Sequence, residues 1–238
     1  MIELYYDMTP NGRKILVALE ELGLDYEVHW VDLKNDEQHT PEFTAINPNG
    51  KIPAIVDRDG PGGEPLAVFE SGAILLYLAE KAGRLLPAEP RARWEAICWT
   101  FWQVANQGPA SGNAAHFTQY APSAGINDEY ATQRYVTETR RCAQVLNDRL
   151  EGRAYVAGDE YSIADIACFP WTRVMKGYGI DIAEYPALAE WSARISARRA
   201  AKVKAEKPEG ASAPERRVQG DDYAKLFGVD PTAFANKS

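Results

Sequence analysis

Thr9 and Asn11 are the first residues of the chain whose types and positions could carry chemistry. They lie in a Thr-Pro-Asn-Gly turn between a strand-like run and a helix-like run, where a hydroxyl can donate a hydrogen bond to a thiolate. Lowering a thiol pKa from about 8.5 to about 6.5 requires roughly 2.7 kcal/mol. A charge-assisted hydrogen bond contributes ~1.5–3 kcal/mol and a helix N-terminus ~0.3–1 kcal/mol, so such a turn could activate a thiol. Without context the turn favours plain helix capping, and Tyr5 or Tyr6 are alternative donors.

The dipeptide Ile52-Pro53 stands directly before a strand-like run at residues 54–56. Spacing alone favours a trans proline at the start of an edge strand. The alternative is a cis proline that exposes the backbone N–H and C=O of Ile52, to which an extended peptide could pair.

Glu70 and Ser71 lie where a strand-like run meets an apolar, helix-like run at residues 71–81. A serine at a helix start, beside free backbone N–H groups, can bind an anion, and a neighbouring carboxylate can hold an ammonium. The pair would suit the α-carboxyl and α-amino groups of an amino acid. A plain N-cap is the commoner explanation of such a pair, and both interpretations stay open on these residues alone.

The composition restricts the partners. The chain has 238 residues, of which 45% are hydrophobic, and its formal net charge is −8. Nucleic acid and anionic membrane surfaces both demand a basic face, so neither is expected as the main partner. No apolar run approaches the ~20 residues needed to span a bilayer, and the first residues lack the features of a signal peptide.

The cysteines and histidines give little sign of chemistry. Cys98, Cys142 and Cys168 form no C-x-x-C pair, which fits a reducing compartment and predicts a cytoplasmic protein. All three fall on helix-like runs among apolar or aromatic neighbours, so we expect buried thiols with raised pKa values. The three histidines, at 29, 39 and 116, share no ligand spacing, and no metal is expected.

Strand-like and helix-like runs divide the chain into two parts. The first 84 residues read as β-α-β, a loop and β-β-α, which predicts a mixed sheet with crossover helices. After Pro87 only helix-like runs follow, at residues 91–116, 129–150, 163–178 and 187–203. The sequence therefore predicts an α/β domain at 1–84, a linker at 85–90, an all-α domain at 91–207 and an irregular tail at 208–238. An apolar island at 223–227 is expected to anchor that tail.

The order of these motifs is more specific than any one of them. The Thr9 turn, the run from Asn47 to Ile55 and the run from Phe69 to Ile74 together resemble the glutathione-binding, thioredoxin-like domain of cytosolic glutathione transferases. The run Tyr161-Ser162-Ile163-Ala164-Asp165-Ile166 resembles the capping box and hydrophobic staple of that family's helical domain. The resemblance covers residues 1 to about 205.

Finer motifs resemble the Nu class of these transferases, which is related to the yeast nitrogen-regulator-like group. They comprise the residues from Thr9 to Lys14, Gln38, the Trp102-Gln103-Val104 run, Gly108-Pro109, Gly112 and His116-Phe117. The resemblance implies that Thr9 and Asn11 meet the sulfur of glutathione and that Ile52-Pro53 is cis. It also implies that the rest of the tripeptide is held by Gln38, Lys51, Ile52, Pro53, Glu70 and Ser71, with Arg134 reaching it across a homodimer.

The resemblance implies glutathione as co-substrate and a glutathione-dependent transferase with disulfide reductase, and possibly peroxide reductase, activity. Alternatives are a regulatory or ligand-carrying protein of the same fold, and an isomerase or dehalogenase that uses glutathione. One departure from the pattern is Ala114-Ala115-His116, which is smaller than the residues expected in that stretch and predicts a wider pocket for the second substrate.

Overall fold

The structure is a computed structural model that describes residues 1–206, 208–209, 218 and 220–234. An α/β domain comes first and a helical domain follows, as predicted. The α/β domain contains β1 (Ile2–Tyr6), α1 (Pro10–Leu22), β2 (Tyr26–Trp30), α2 (Pro41–Ile46), β3 (Ala54–Asp57), β4 (Leu66–Phe69) and α3 (Ser71–Ala82). The rest contains α4 (Pro90–Trp102), α5 (Gly108–Ala115), α6 (Ala121–Ser123), α7 (Glu129–Leu150), α8 (Ile163–Val174), α9 (Pro186–Ala197) and α10 (Gly220–Phe227).

The four strands form one sheet in the order β2-β1-β3-β4. β1 pairs parallel with β2, while β3 is antiparallel to both β1 and β4. The inward side chains of β1, among them Leu4, are fully buried against α1 and α3. Because three residues of α8, Ile163, Ile166 and Ala167, belong to the same core cluster, the helical domain shares the core of the α/β domain. This arrangement is the thioredoxin-like sheet that the sequence predicts.

Gly12 in the first turn of α1 is required by close packing. A Cβ at this position would lie 2.5 Å from the backbone oxygen of Asp7 and 3.0 Å from the ring of Tyr6. Any larger residue would therefore push the start of α1 away from β1, and the Thr9 turn would move with it.

The long run predicted as one helix at 91–116 is divided in the structure. α4 and α5 are joined by a π-helical segment at Gln103–Gln107, and a second one at His116–Tyr120 follows α5. Such π segments occur inside helices and are frequent at functional sites. Gln103 and Gln107 on the first segment are fully buried, and they face the α/β domain and α8.

The predicted capping box at the start of α8 is present. The Ser162 side chain accepts a hydrogen bond from a backbone N–H at the helix N-terminus. The Asp165 carboxylate accepts one from the backbone N–H of Ser162 at 3.0 Å. Asp165 also accepts from the backbone of Val156 at 2.9 Å and from Nε1 of Trp191 at 2.8 Å, which the sequence did not indicate. Tyr161 packs against the core cluster that contains Ile166, in the role of the predicted staple.

Further polar contacts hold α1 against the end of the helical domain. The Arg13 guanidinium donates to the backbone oxygens of Ala201, at 2.6 Å, and of Val203. Glu21 accepts two hydrogen bonds from Arg198, at 2.6 and 2.8 Å. The first helix is thus fixed at both ends by residues of the second domain.

The prediction of an irregular tail needs correction, because α10 lies within it. Tyr223 is buried and its hydroxyl lies 3.0 Å from Nε2 of His116, while Phe227 packs edge-on against the same imidazole. The apolar island therefore anchors the tail as expected, and it does so by folding as a helix. Residues 210–217, 219 and 235–238 of the predicted tail, and residue 207 just before it, lie outside the described residues.

Candidate functional site

A cavity of about 640 Å³ lies where the two domains meet. Its volume is in the usual range for small-molecule sites, which is about 300–1,000 Å³. The α/β domain contributes the first turn, a short helical segment and the loop before β3, and the helical domain contributes the opposite wall. Lining residues include Thr9, Asn11, Gln38, His39, Lys51, Ile52, Gly112, Ala115, Trp171, Tyr178 and Leu226.

Thr9 caps α1 and keeps its hydroxyl hydrogen free. Its Oγ1 accepts a hydrogen bond from the backbone N–H of Gly12 at 3.1 Å. Because the oxygen already acts as an acceptor toward the helix, the hydroxyl hydrogen can point in another direction, and Thr9 lines the cavity. A half-buried donor therefore stands at the positive end of a helix of 13 residues.

The amide of Asn11 is oriented by Trp171, a residue of α8. The indole Nε1–H of Trp171 lies 2.9 Å from Oδ1 of Asn11. An indole can only donate, so the oxygen of Asn11 must face it and the amide NH₂ must point elsewhere. Since both side chains line the cavity, the structure places two donors, from Thr9 and Asn11, at one end of it.

Two glycines of α5 lie against the indole at ordinary van der Waals distances. A Cβ at Gly112 would lie 3.5 Å from the Trp171 ring, and one at Gly108 would lie 3.7 Å from its Nε1. Trp171 was not predicted as a site residue. Its contact with Asn11 joins residues 160 positions apart in the sequence, and no local sequence pattern predicts it.

Gln38 brings an open acceptor to the other side of the cavity. The side chain is 5% exposed, and its Nε2 donates to Asp36 at 3.1 Å. Its Oε1 is buried and has no hydrogen-bond partner among the described residues. A buried acceptor without a partner is costly, so a bound ligand with an N–H group would stabilise it.

The Ile52-Pro53 peptide bond is cis, in agreement with the expectation drawn from the resemblance. Ile52 and Lys51 line the cavity, and Pro53 is buried beside them. The loop is held from below by Asn47, whose Nδ2 donates to the backbone oxygen of Lys51 at 2.6 Å. Asn47 is 2% exposed, so this loop is anchored in the core rather than free in solvent.

Glu70 and Ser71 lie next to this loop at the start of α3. β3 and β4 pair with Ala54 opposite Phe69, which brings Glu70 alongside Pro53. Glu70 is exposed and has a φ of 68°, a backbone conformation that favours glycine and is enriched at functional sites. Ser71 is buried, and its Oγ accepts from Nζ of Lys14 at 3.1 Å.

Pro53, Glu70 and Ser71 are not among the residues that line the cavity, and neither are the remaining candidates. Arg134 is an exposed residue of α7 that pairs with Glu138 at 3.6 Å. Tyr6 is buried in the core and Tyr5 stacks on His29, with ring centroids 5.1 Å apart, so neither lines the cavity wall.

The prediction of three buried cysteines is wrong for Cys98, which is exposed. It lies on the outer face of α4, beside Trp94 and Trp99. Cys142 and Cys168 are fully buried, and burial raises the pKa of Cys142 to about 11 and that of Cys168 well above 9. None of the described residues that line the cavity is a cysteine.

The run Ala114-Ala115-His116 takes up three different positions. Ala115 lines the cavity, whereas Ala114 is buried in the packing of the helical domain. His116 faces α10, and burial lowers its pKa. The tail contributes Leu226 to the cavity wall, which the sequence did not predict.

The described part of the chain contains neither a membrane-spanning helix nor a cluster of metal ligands. No helix there is long and apolar enough to cross a membrane. No group of three or more His, Cys, Asp and Glu side chains in that part of the chain is placed to hold a metal ion.

A thioredoxin-like sheet, a helical domain and a cavity between them define the architecture of a glutathione transferase. The sequence matches the glutathione S-transferase N-terminal domain over residues 9–81 and the glutathione S-transferase C-terminal domain over residues 112–199. The chain therefore belongs to the glutathione S-transferase family.

Its relatives give more detail. The chain is 51% identical to the disulfide-bond oxidoreductase YfcG of Escherichia coli over 199 residues, which are 83% of this chain and 91% of that protein. It also resembles a glutathione transferase family member from Pseudomonas fluorescens solved with two glutathione molecules bound, with a TM-score of 0.79, 44% identity, and coverage of 84% of this chain and 89% of that one. A glutathione transferase from Pseudomonas putida, solved with one glutathione disulfide per subunit, is similar at 42% identity, with a TM-score of 0.79 and coverage of 84% and 88%.

Proposed function

We propose that this chain is a glutathione-dependent disulfide reductase of the Nu class, in which a bound glutathione is the nucleophile. The observation that carries the proposal is the pair of donors from Thr9 and Asn11 at the N-terminus of α1. Each has its acceptor atom already occupied by a protein N–H, so both are available to a thiolate in the cavity. The relatives named as a disulfide-bond oxidoreductase and solved with glutathione or glutathione disulfide support the same chemistry.

The reaction consists of two thiol–disulfide exchanges. The thiolate of the first glutathione attacks one sulfur of the substrate disulfide, which forms a mixed disulfide and releases one substrate thiolate. A second glutathione thiolate then attacks the glutathione sulfur of the mixed disulfide, so glutathione disulfide forms and the second substrate thiol leaves. Overall, two glutathione molecules are oxidised and one disulfide is reduced to two thiols. Thr9 and Asn11 stabilise the attacking thiolate and align it, and no protein thiol takes part.

The remaining residues hold the tripeptide. Ile52, beside Pro53, is placed for backbone pairing with the cysteinyl unit, and Ser71 and Glu70 receive the carboxylate and ammonium of the γ-glutamyl unit. Gln38 and Lys51, on the opposite side of the loop, receive the glycine end. The open Oε1 of Gln38 is suited to a ligand N–H, and the Lys51 ammonium to a carboxylate.

We propose that the protein is a homodimer and that Arg134 reaches the site of the partner. The support is an exposed apolar stripe on α4, where Trp94 is 64% exposed and Phe101, seven positions later on the same helix face, is 61% exposed. Arg134 itself is exposed and does not line the cavity of its own chain, which is compatible with a role across a two-fold axis.

The test compares the two possible sources of the nucleophile. A variant with Cys98, Cys142 and Cys168 replaced by Ala or Ser should keep most of its glutathione-dependent turnover of a small disulfide, normalised to folded protein. Thr9→Ala should lose roughly 1.5–3 kcal/mol of transition-state stabilisation, or about ten- to a hundred-fold in kcat/KM. A folded but inactive cysteine-free variant, combined with a fully active Thr9→Ala variant, would show that a protein thiol is the nucleophile.

A further inference from the structure

Lys14 is a buried ammonium without a carboxylate partner. It lies on α1, five positions after Thr9, and its side chain is 1% exposed. Its Nζ donates to Oγ of Ser71 at 3.1 Å and to Oε1 of Gln103, and both of these acceptors are neutral. Within the described residues no carboxylate comes within salt-bridge distance of it. Lysine is almost never fully buried unless it is paired.

Such a group is an unusual choice for stability alone. A buried charge with only neutral partners carries a desolvation penalty, and an apolar side chain of similar volume is often equally stable or more so. Burial lowers the pKa of Lys14 to about 7, so the ammonium and the neutral amine are both populated near neutral pH. A residue that breaks the usual rules of burial, one hydrogen bond from the first residue of α3, indicates a functional requirement.

The geometry around Ser71 shows what the requirement is. Because Oγ of Ser71 accepts from Lys14, its hydroxyl hydrogen is directed away from Lys14 and can serve as a donor. Ser71 is the first residue of α3, a helix of 12 residues whose free N–H groups point in the same direction. An anion bound there would contact the Ser71 hydroxyl and the helix N-terminus. The Lys14 ammonium would not touch the anion, but it is hydrogen-bonded to the same hydroxyl.

We propose that Lys14 is a positioning residue for the anionic end of glutathione, and that binding of a carboxylate at Ser71 is coupled to protonation of Lys14. This proposal rests on the proposed function, in which Ser71 receives the γ-glutamyl carboxylate. The charged form of Lys14 fixes the Ser71 hydroxyl as a donor and balances the carboxylate that the hydroxyl holds. Gln103, from the π-helical segment of the second domain, keeps the ammonium in place from the other side.

The neighbouring groups leave Lys14 as the one that responds to a bound anion. From α8 it faces Cys168, whose raised pKa keeps the thiol neutral, and from the start of α3 it feels the Glu70 carboxylate. Gln103 has no charge to change. On α1 itself, the Arg13 guanidinium is held by backbone oxygens at the end of the helical domain.

The sign of the pH dependence follows from these groups. A bound carboxylate favours the ammonium, so the pKa of Lys14 is higher in the complex than in the free protein. Binding therefore takes up protons between the two pKa values, and affinity falls as the pH rises from about 7 toward the pKa of the complex. A rise of about one pKa unit on binding corresponds to a tenfold change in affinity.

The test measures binding of S-hexylglutathione by calorimetry between about pH 6 and about pH 8.5, in buffers with different ionisation enthalpies. Its sulfur is alkylated, so a thiol cannot contribute to the profile. We expect the wild type to lose about tenfold in affinity across this range and to take up protons near neutral pH. Lys14→Met should bind about tenfold more weakly than wild type at about pH 6, with a flatter profile and less proton uptake. Every other titratable group of the protein and of the ligand is common to both proteins, so the difference between the two profiles isolates Lys14.

Two controls make the outcome decisive. Lys81→Met removes the same charge from the opposite end of α3, about 15 Å along the helix, and should leave the profile at its wild-type slope. Lys14→Gln keeps a donor toward Ser71 without the charge, and should resemble Lys14→Met in its pH profile. Folded Lys14 variants with the wild-type profile and proton uptake would overturn the proposal, as would a wild type that takes up no protons. A wild type that does not bind S-hexylglutathione at all would instead refute the proposed function.

Discussion

The hydrogen bond between Trp171 and Asn11 allows a direct test of how the second domain supports the site. Trp171→Phe removes the indole N–H but keeps an aromatic ring against Gly112 on α5. The Asn11 amide then loses the contact that fixes which of its ends faces the cavity. A single hydrogen bond of this kind contributes about 0.5–1.5 kcal/mol, so kcat/KM for a small disulfide should fall about two- to twelvefold. The pKa of the bound glutathione thiol should rise by up to about one unit, which the ultraviolet absorbance of the thiolate reports as a function of pH.

A double-mutant cycle separates this indirect effect from any direct contact of the indole with substrate. Asn11→Ala removes a donor to a charged sulfur and should lose about 1.5–3 kcal/mol, or ten- to a hundredfold in kcat/KM. If Trp171 acts through Asn11, adding Trp171→Phe to the Asn11→Ala variant should cause little further loss. Trp102→Phe serves as the control for loss of an indole, because Trp102 packs against Trp99 and does not line the cavity. If Trp171→Phe lowers kcat/KM by the same factor in the wild type and in the Asn11→Ala variant, the orienting role is refuted.

Two further predictions concern stability and assembly. Asp165→Ala leaves the buried N–H groups of Val156, Ser162 and Trp191 without their acceptor, so it should lower the free energy of unfolding by about 3–5 kcal/mol in urea titrations. The control Asp181→Ala removes an exposed cap with one contact and should cost about 0.5–2 kcal/mol, so similar losses for both would show that the buried contacts contribute nothing. Phe101→Glu on α4 should convert a dimer to a monomer in sedimentation at micromolar concentration, whereas Phe234→Glu, another exposed phenylalanine, should not. A wild type that sediments as a monomer would contradict the proposed assembly.

Local features of the sequence were sufficient for the architecture. The alternation of strand-like and helix-like runs predicted the mixed sheet, and the Ser162–Asp165 capping box marked the start of α8 because each partner lies within one helical turn of the other. The cis bond at Ile52-Pro53 was not accessible from spacing, which favoured trans, and followed only from the resemblance of the whole run.

Contacts between distant segments explain what the sequence did not predict. Trp171 reaches Asn11 across the domain boundary, and Lys14 is buried because Gln103 and α8 cover a side of α1 that its own periodicity leaves polar. Cys98 was predicted as buried from its apolar neighbours in sequence, but on a helix these neighbours point in other directions, and Cys98 itself lies on the outer face of α4. Each of these outcomes depends on which helix faces which.

The first turn and a half of α1 is where both domains meet the proposed chemistry. Thr9 caps this helix, Asn11 follows in its first turn, and Lys14 lies one turn further on. Asn11 and Lys14 each depend on a residue of the helical domain. Trp171 of α8 orients Asn11, and Gln103 of the π-helical segment accepts a hydrogen bond from Lys14. The helical domain therefore does more than close the cavity, because it orients the Asn11 donor and holds the Lys14 charge that the α/β domain presents. It follows from the proposed function that a substitution on α8 or on the segment between α4 and α5 should change glutathione binding and thiolate stability, even where the altered residue lies outside the α/β domain.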